Sequence, residues 1–470
     1  MLGERRIAGS FRDPSGYVHE VNGRILRTVT DHAAAEYEAL RDSGVFRHLT
    51  DRGWLIASRE VEHDALGQPD AALRHVIEHP RIPHVSFPYE WPFSLLRKAA
   101  LLHLDLHLAA LDEGATLSDA SAYNIQFRGP NPVFIDLLSL RRYREGEYWT
   151  GHRQFCEQFL NPLLLRSLLG IAHNGWFRGT LEGVPTTELA RLLPLRRKLS
   201  WNVFVHVTLQ AKLQRGALRG GEAHAARLIR SRPLSRTAYR GMLTQLRNWI
   251  ARLRLGGSGQ TEWGDYAETN SYSSDEEQAK RRFVAEFVAA ARPETVWDLG
   301  CNTGEYSELA LTSGAGRVIG FDSDQTALER ACHRAQSRDL DLLPLYLDAA
   351  NPSPDQGWMQ SERPGLAARA DADAVIALAF EHHLAIGRNI PLPHVVSWLV
   401  GLAPTGVIEF VEKSDPTIQR MLALREDIFP GYTAAEFETA LGQNARIVRS
   451  ETISASGRRL YLFDRSGAQT

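Results

Sequence analysis

The stretch that decides the fold reads Val296-Trp297-Asp298-Leu299-Gly300-Cys301-Asn302-Thr303-Gly304-Glu305-Tyr306-Ser307. An apolar run, a glycine turn and a helix start follow one another, as in the first half of a βαβ unit. A second apolar run, 317–321, ends on Asp322. Glycine lets the backbone approach a ligand closely, and a carboxylate accepts hydrogen bonds from a ribose diol. The pattern therefore predicts a nucleoside-binding unit.

The glycine spacing narrows this prediction. Three residues separate Gly300 from Gly304 in the pattern Gly-x-x-x-Gly, and Asn302 stands where dinucleotide-binding proteins have the middle glycine of Gly-x-Gly-x-x-Gly. The stretch resembles motif I of class I S-adenosylmethionine-dependent methyltransferases, and the resemblance extends from about residue 262 to the C-terminus. It implies a Rossmann-like, seven-stranded methyltransferase sheet of the α/β class and S-adenosylmethionine (SAM) as cofactor. An ordinary βαβ turn of another α/β protein is the alternative.

The resemblance also implies which residues contact the cofactor. Asp322 would bind the ribose hydroxyls, Ser323 would border the adenine, and Asp348 would contact the adenine amino group. In this class a segment upstream of motif I commonly folds over the cofactor, although aromatic residues there also serve as packing. The predicted cofactor-binding residues are Asp298, Gly300, Asn302, Gly304, Asp322, Ser323, Asp348, Ala379, Tyr266 and Tyr272.

A further apolar run, 372–378, ends in the tip Ala379-Phe380-Glu381-His382-His383. In open α/β sheets ligands bind beyond the carboxyl ends of the strands, so this tip is expected to face the transferred methyl group. A histidine can take the proton of an oxygen acceptor, and a carboxylate can orient the ring. Glu381, His382 and His383 are therefore the candidate catalytic residues. They could instead hold a metal with a further ligand, or only shape the pocket.

Length and composition bound the rest of the chain. Its 470 residues should form two or more domains, and 43% hydrophobic with 23% charged residues is typical of a soluble globular protein. With a net charge of −2, the molecule as a whole has no positive field that would attract nucleic acid or a membrane surface. The three cysteines show no Cys-x-x-Cys pairing, so no metal site is predicted. Few cysteines, no signal-peptide core and no membrane-spanning run predict a cytoplasmic protein.

Residues 1–180 predict an α+β domain. Asn124 follows Asp119 in a loop, and Asp136 ends a later strand, so three oxygen ligands for a hard cation could converge. The spacing is similar to the catalytic core of protein kinases and aminoglycoside phosphotransferases. By that resemblance Asp119 is at the base position, and Arg27 stands in for the strand lysine. Leu117 replaces the loop histidine, which implies a degenerate kinase-like domain that binds a substrate. Simple loop capping is the alternative.

Residues 181–259 predict a basic helical connector. Between residues 190 and 255 the only acid is Glu222, while arginines and aromatics alternate along the segment. Such a run can track the phosphates of RNA, or it can be the solvated face of arginine-rich helices. Gly256-Gly257-Ser258-Gly259 then predicts a flexible linker before the methyltransferase domain, residues 260–470.

Taken whole, the chain resembles bacterial two-domain SAM-dependent methyltransferases, some of which are labelled NoeA-type nodulation proteins. The resemblance implies O-methylation of a small molecule or glycan, with the first domain gripping the acceptor. Three alternatives stay open: RNA methylation through the connector, phosphoryl transfer by the first domain, and a non-catalytic SAM-binding scaffold.

Overall fold

A computed structural model describes residues 5–67, 73–216, 233–256, 274–423 and 425–466. Tyr266 and Tyr272 lie outside the described residues, as does most of the predicted linker. The chain divides into two compact units. The first unit comprises Met1–Gly257 with Asp355–Arg363, and the second comprises Ser258–Pro354 with Pro364–Thr470.

The first unit begins with a five-stranded antiparallel sheet of order β1-β2-β3-β5-β4. Its strands are β1 Arg5–Arg6, β2 Val18–Val21, β3 Arg24–Thr30, β4 Arg59–Val61 and β5 Leu73–His79. The predicted hairpin turn between β2 and β3 is present, with φ of 50° at Asn22 and 81° at Gly23. Left-handed backbone at both central residues matches the twist of the flanking strands, which explains the Asn-Gly pair.

Two small antiparallel pairs follow, β6 Ala115–Leu117 with β9 Leu140–Arg142, and β7 Ile125–Arg128 with β8 Asn131–Phe134. The α-helices of this unit are Asp31–Ser43, Val45–Asp51, Phe93–Asp112, His152–Phe155, Asn161–Leu169, Asn174–Thr180, Thr186–Leu192, Leu195–Lys198, Trp201–Val203, Gln210–Gly216 and Arg236–Arg252. Short 3-10 helices lie at Ala8–Ser10, His63–Leu66, Pro88–Glu90, Ala122–Asn124, Leu137–Ser139 and Trp358–Gln360.

Two π-helical turns, Cys156–Leu160 and Phe204–Leu209, interrupt these helices. The sequence predicts one helix over 201–218, and its described part, 201–216, is helical throughout, with the second π-helical turn inside it. The apolar spacing over 94–113 predicts a helix that is present as Phe93–Asp112, with its apolar positions buried.

A segment from the second half of the chain, Asp355–Arg363, belongs to the first unit. Arg12 forms an ion pair with Glu362 at 2.6 Å, and the Arg363 guanidinium lies 4.1 Å from the centre of the Tyr123 ring. Gln356 donates a hydrogen bond from Nε2 to the Arg178 carbonyl at 3.0 Å.

The second unit contains a seven-stranded sheet of order β12-β11-β10-β13-β14-β16-β15. The strands are β10 Thr295–Leu299, β11 Arg317–Asp322, β12 Leu342–Tyr346, β13 Ala374–Ala377, β14 Thr405–Phe410, β15 Arg446–Thr452 and β16 Arg459–Asp464. The first five in this order pair in parallel, and β16 is antiparallel to both neighbours. The prediction of a mixed α/β fold with a seven-stranded sheet is confirmed.

The strand order reverses between β10 and β13, which places a ligand crevice at their carboxyl ends. Both strands are buried along their whole length, because helices cover both faces of a parallel sheet. The α-helices of this unit are Ser274–Ala291, Glu305–Thr312, Gln325–Ser337, Glu381–Ala385, Leu392–Gly401, Pro416–Leu422 and Ala434–Asn444, with a 3-10 helix at Ala367–Arg369.

A buried ionic network lies at one side of the sheet. Lys280 Nζ is 2.7 Å from Glu409 Oε2, and this contact joins the helix Ser274–Ala291 to β14. Arg458 Nη1 is 3.5 Å from Glu409 Oε1, and its Nε is 2.7 Å from Asp415 Oδ2. All four side chains are almost completely excluded from solvent. Buried charges of this kind are stable only as a set, because each compensates another.

None of the helices in the described part of the chain has the length and apolar character needed to cross a membrane.

Candidate active site

The turn after β10 has an unusual backbone. Gly300, Asn302 and Gly304 have φ of 75°, 48° and 81°, and Gly304 caps the helix Glu305–Thr312. The Gly300 N–H donates a hydrogen bond to the Phe321 carbonyl at 2.8 Å, which fixes the turn against the end of β11. Asparagine tolerates this left-handed region better than most residues. The backbone is thus held open for close approach by a ligand.

We expect Gly300→Ala to weaken SAM binding. A Cβ at this position would lie 3.0 Å from Phe380 Cδ2, in a backbone conformation that costs an L-residue about 1–2 kcal/mol. Gly314→Ala is the matched control, because its φ of 111° imposes strain where no atom lies within 4 Å. Thermal denaturation should show a loss in both variants. Titration with SAM should show a loss only for Gly300→Ala, and equal affinities would contradict the assignment.

Asp322 is held at the edge of this turn by backbone donors. The Asn302 N–H donates to its Oδ2 at 2.9 Å, and the Asp324 N–H donates to its Oδ1 at 2.8 Å. Each carboxylate oxygen retains a lone pair for a further donor. Burial raises the pKa of Asp322 to about 6, although the two backbone donors act in the opposite direction. The carboxylate is therefore ionised at neutral pH.

The other predicted acids lie at neighbouring strand ends. Asp348 follows β12, where its Oδ1 accepts a hydrogen bond from the Ala350 N–H at 3.1 Å. The Leu347 N–H donates to the Asp322 carbonyl at 2.9 Å, which joins the ends of β11 and β12. Ser323 is exposed between them. Asp322 and Asp348 therefore lie near each other at the carboxyl ends of the neighbouring strands β11 and β12.

Asp298 lies inside β10 and is buried. Its Oδ2 accepts a hydrogen bond from Ser307 Oγ at 2.6 Å, so it anchors the helix that follows the turn. Burial raises the pKa of Asp298 to about 6, and the nearby Asp322 adds to the rise, while Ser307 and Lys280 oppose it. The folded protein therefore keeps this proton more tightly than the unfolded chain does.

This raised pKa has a defined effect on stability. Protonated Asp298 favours the folded state over the unfolded one. This contribution to the free energy of unfolding is fully present below the ordinary pKa of an aspartate and is lost as the pH rises through about 6. We expect Asp298→Asn to stabilise the ligand-free protein above pH 7 by up to about 3 kcal/mol, with a gain that shrinks toward pH 5.

Denaturant unfolding between pH 5 and pH 8 measures this gain. Asp464→Asn is the control, because hydrogen bonds from Ser466 and Arg446 lower the pKa of Asp464 to about 2. This control should give no gain. A pH-independent effect of Asp298→Asn would contradict the expectation.

The tip after β13 contacts the glycine turn. Ala379 has a φ of 50°, unusual for a residue with a side chain, and Phe380 is the residue that crowds Gly300. The Phe380 ring stacks on Trp398 with centroids 6.4 Å apart. Strained backbone of this kind is concentrated at functional sites. The structure thus brings the predicted catalytic tip beside the predicted cofactor turn.

Glu381 is completely buried at the start of the next helix. Its Oε1 accepts hydrogen bonds from Tyr432 Oη at 2.7 Å and from the Val411 N–H at 3.1 Å. Its Oε2 lies 3.2 Å from His382 Nδ1. Glu381 thus contacts the His382 ring, as predicted for a carboxylate that orients it, and its part in catalysis stays a prediction. Tyr432 was not among the predicted site residues.

His382 and His383 lie together, with ring centroids 4.2 Å apart. His382 is buried, whereas His383 is half-buried. Burial, with His382 as a second cause, lowers the pKa of His383 to about 3, so that ring is neutral at pH 7. A neutral imidazole keeps a lone pair that can accept a proton.

Each of the two acids predicted as a cation ligand in the first unit contacts another side chain. Asn124 Nδ2 donates to Asp119 Oδ2 at 2.9 Å, and Asp136 Oδ1 is 2.7 Å from Arg27 Nη2. Arg27 also pairs with Asp13 at 2.7 Å. Burial raises the pKa of Asp136, while Arg27 lowers it. Arg27 therefore supplies the positive charge that a cation would bring, and a kinase-like domain stays a prediction.

Two arginines of the basic connector are paired with acids. Arg240 Nε is 2.9 Å from Asp112 Oδ1, and Arg247 Nε is 2.8 Å from Asp105 Oδ1. These contacts fix the helix Arg236–Arg252 to the helix Phe93–Asp112. For these two side chains the observed pairing favours the interpretation as ordinary surface charge.

Sequence comparison gives one extensive similarity. The chain is 48% identical over 461 residues to "Nodulation protein NoeA" of Rhizobium meliloti (strain 1021), covering 98% of this chain and 96% of the relative. No family model matches the chain.

Solved structures are similar to part of the chain. The N-methyltransferase NodS from Bradyrhizobium japonicum WM9 aligns with a TM-score of 0.30 and 16% identity over 41% of this chain and 97% of that one. The magnesium protoporphyrin IX methyltransferase from Synechocystis PCC 6803 aligns with a TM-score of 0.30 and 21% identity over 45% and 90%. Scores this low support no conclusion about activity. The identity over nearly the whole of both sequences shows that this chain belongs to the NoeA family of nodulation proteins.

Proposed function

We propose that this chain is a SAM-dependent methyltransferase that methylates an oxygen of a small molecule or glycan. The observation that carries the proposal is the meeting of the glycine turn with Asp322 at the strand-order reversal of the sheet. We also propose a cytoplasmic location. All three cysteines are buried and form no disulfide bond, which is compatible with a reducing compartment.

The residues present fit the cofactor. The Gly300 position crowds any side chain, because a Cβ there would lie 3.0 Å from Phe380 Cδ2. Asp322 would accept hydrogen bonds from the ribose hydroxyls with its remaining lone pairs, and Asp348 would serve the adenine amino group. Ser323 and Ala379 would border the same pocket, with Asp298 behind it. When bound, SAM would supply an electrophilic methyl group on a sulfonium centre.

The chain's own residues would then control the acceptor proton. A hydroxyl must lose its proton as its oxygen attacks carbon, and a neutral histidine close to the reacting oxygen can take it. We assign this role to His382, with the more exposed His383 beside it, because the lowered pKa of His383 makes that ring a weak base. Glu381 would hold the His382 ring through Nδ1 and stabilise it when protonated.

A glycan acceptor is favoured over RNA for two reasons. The relative is named a nodulation protein, which suggests modification of a carbohydrate or lipo-oligosaccharide. Arg240 and Arg247 of the connector are occupied by acids, so they offer little net charge to phosphates. RNA remains the acceptor that the experiment must be able to detect.

The test uses the full chain with methyl-labelled SAM and two separate acceptor pools, chito-oligosaccharides and total RNA. We expect label in the sugar as an alkali-stable ether. Glu381→Gln and His382→Asn should lose turnover but still bind S-adenosylhomocysteine by calorimetry, whereas the exposed control His394→Asn should keep both. Label only in RNA would refute the glycan proposal. Absence of binding by SAM and by S-adenosylhomocysteine would refute the methyltransferase proposal.

We also propose residues 1–180 as a degenerate kinase-like domain that grips the acceptor, residues 181–259 as a connector, and residues 260–470 as the methyltransferase domain. The pairing of Arg27 with Asp136 supports substrate binding over phosphoryl transfer, because the metal position already has a cationic partner. Calorimetry with ATP and magnesium should therefore give no binding. Binding would favour the phosphotransferase alternative.

A further inference from the structure

We propose that His152, Cys156 and His206 in the first unit form a binding site for one transition-metal ion of the zinc type. His152 Nε2 lies 3.1 Å from His206 Nδ1 and 3.7 Å from Cys156 Sγ. Ligand atoms of all three residues lie within 4.8 Å of one another. In the described part of the chain, no other three histidine, cysteine or acidic side chains converge this closely.

The spacing fits a tetrahedral ion. Zinc binds imidazole nitrogen at about 2.0–2.1 Å and thiolate sulfur at about 2.3 Å, so adjacent ligand atoms lie roughly 3.3–3.6 Å apart. The observed 3.1 Å and 3.7 Å lie on either side of that range. These two distances need shifts of only a few tenths of an ångström, and the third, between Cys156 and His206, is no more than 4.8 Å before the ion draws the ligands together. Two imidazoles and one thiolate are a ligand set that zinc accepts and that magnesium or calcium does not.

The local backbone is adapted at both ligand-bearing segments. His152 and Cys156 are four residues apart on one helical face, and Cys156 begins the π-helical turn Cys156–Leu160. His206 lies inside the other π-helical turn, Phe204–Leu209. Such turns are rare and occur frequently at functional sites. Each of the two π-helical turns therefore carries one of the proposed ligands, Cys156 or His206.

Neighbouring side chains hold the rings in place. The Gln210 amide nitrogen Nε2 lies 2.6 Å from His152 Nδ1. On metal binding, a half-turn of the Gln210 amide would bring its oxygen to this position, so that Nδ1–H donates to it and the Nε2 lone pair is left for the ion. Metal-bound histidines characteristically donate their other N–H in this way. His206 also stacks on Trp249, with ring centroids 5.9 Å apart.

The site reaches solvent through one of its three side chains. Cys156 and His206 are buried, but His152 is partly exposed, so an ion can enter from its side. On binding, the Cys156 thiol releases its proton and a sulfur–metal bond forms, with no change in oxidation state. The ion would join two segments that are 54 residues apart in sequence, from His152 to His206. Its binding would therefore stabilise the folded first unit.

The test uses the full chain, reduced, freed of metal with a chelator and titrated with Zn²⁺ or Co²⁺ alone. We expect about one equivalent of metal per chain, a thiolate-to-cobalt charge-transfer band, and a rise in Tm with zinc. Cys156→Ser should lose the charge-transfer band and most of the zinc-induced rise in Tm. Cys332→Ser is the control, because Cys332 is also a buried thiol outside any disulfide bond but belongs to the second unit, and it should behave like the wild type.

Two outcomes would overturn the proposal. One is a wild-type chain that takes up no metal, in which case the three side chains form only a hydrogen-bonded cluster. The other is cobalt binding without a thiolate band, which would place the ion elsewhere. Both are measured on the wild-type chain, so a folding defect in Cys156→Ser does not prevent a decision. His206→Gln provides a second variant that should weaken metal binding and leave the thiol intact.

Discussion

Replacing Arg458 by methionine is expected to lower the free energy of unfolding of the second unit by about 3–5 kcal/mol. Arg458 is 1% exposed, and it donates from Nε to Asp415 Oδ2 at 2.7 Å and from Nη2 to Asp415 Oδ1 at 3.0 Å. Methionine fills the volume of the arginine stem but leaves the buried carboxylate of Asp415 without its cationic partner. Glu409 keeps Lys280, so the loss falls mainly on Asp415.

The neighbouring residue supplies the control. Arg459 pairs with Glu438 at 2.9 Å, but both side chains are more than a third exposed. Surface pairs of this kind contribute about 0–1 kcal/mol, so Arg459→Met should have a small effect. Urea unfolding of both variants decides the point. Equal losses would show that the buried pair contributes no more than the exposed one.

Lowering the pH should reveal how much the ion pair of Arg458 with Asp415 contributes to stability. Burial alone would raise the pKa of Asp415, but hydrogen bonds from Arg458, Ser456 and the Thr417 N–H hold it at about 2. The stability from this depressed pKa is present above the ordinary value of aspartate and is lost as the pH falls through about 2. Wild type should therefore weaken between pH 4 and pH 2, and Arg458→Met should show less of this dependence.

Asp322→Ala is expected to weaken SAM binding at least a hundredfold. Two hydrogen bonds from ribose hydroxyls to a carboxylate would be lost, at about 1.5–3 kcal/mol each. Asp322→Asn keeps the shape and one acceptor, so it should lie between wild type and alanine. Calorimetric titration with SAM and with S-adenosylhomocysteine measures the series. The wild-type affinity should also fall as the pH drops through about 6, where the carboxylate gains a proton.

The control for Asp322 is an acid at the opposite ends of the strands in the same sheet. Asp373 precedes β13, and its Oδ2 accepts a hydrogen bond from the Thr295 N–H at 2.8 Å. Asp373→Ala removes the same kind of carboxylate-to-backbone contact, but at the amino ends of the strands. It should lower stability without changing cofactor affinity. An unchanged affinity in Asp322→Ala would falsify the ribose assignment.

Local sequence features predicted much of the second unit. Ser274 followed by Glu277 is a capping-box pattern that predicts a helix start, and the helix Ser274–Ala291 begins there. The apolar run of the opening stretch and the runs 317–321 and 372–378 became β10, β11 and β13 with shifts of only a few residues at their ends, because parallel strands buried on both faces are continuously apolar. The positions of Gly300 and Asp322 also followed from the resemblance, since strand ends fix where turn residues meet.

Contacts between distant segments were not predictable in the same way. Tyr432 reaches Glu381 across 51 residues, and no local pattern marks such a partner. The π-helical turn Phe204–Leu209 left no trace in the hydrophobic period. The cluster of His152, Cys156 and His206 does have a sequence signal, the His-x-x-x-Cys spacing, but this spacing is much less specific for a metal than a Cys-x-x-Cys pair. The third ligand comes from a separate helix and required the fold.

The assignment of Asp355–Arg363 to the first unit limits how the protein can be divided. The backbone passes from one unit to the other near residue 257, returns at 355 and leaves again at 363. A gene fragment encoding residues 260–470 would carry this piece away from Arg12 and Tyr123, and a fragment encoding 1–257 would lack it. Neither half is therefore a complete folding unit, and insertion or recombination at the single position 257 would not exchange whole modules. The acceptor-binding and methyl-transfer parts proposed for this chain would have been inherited together.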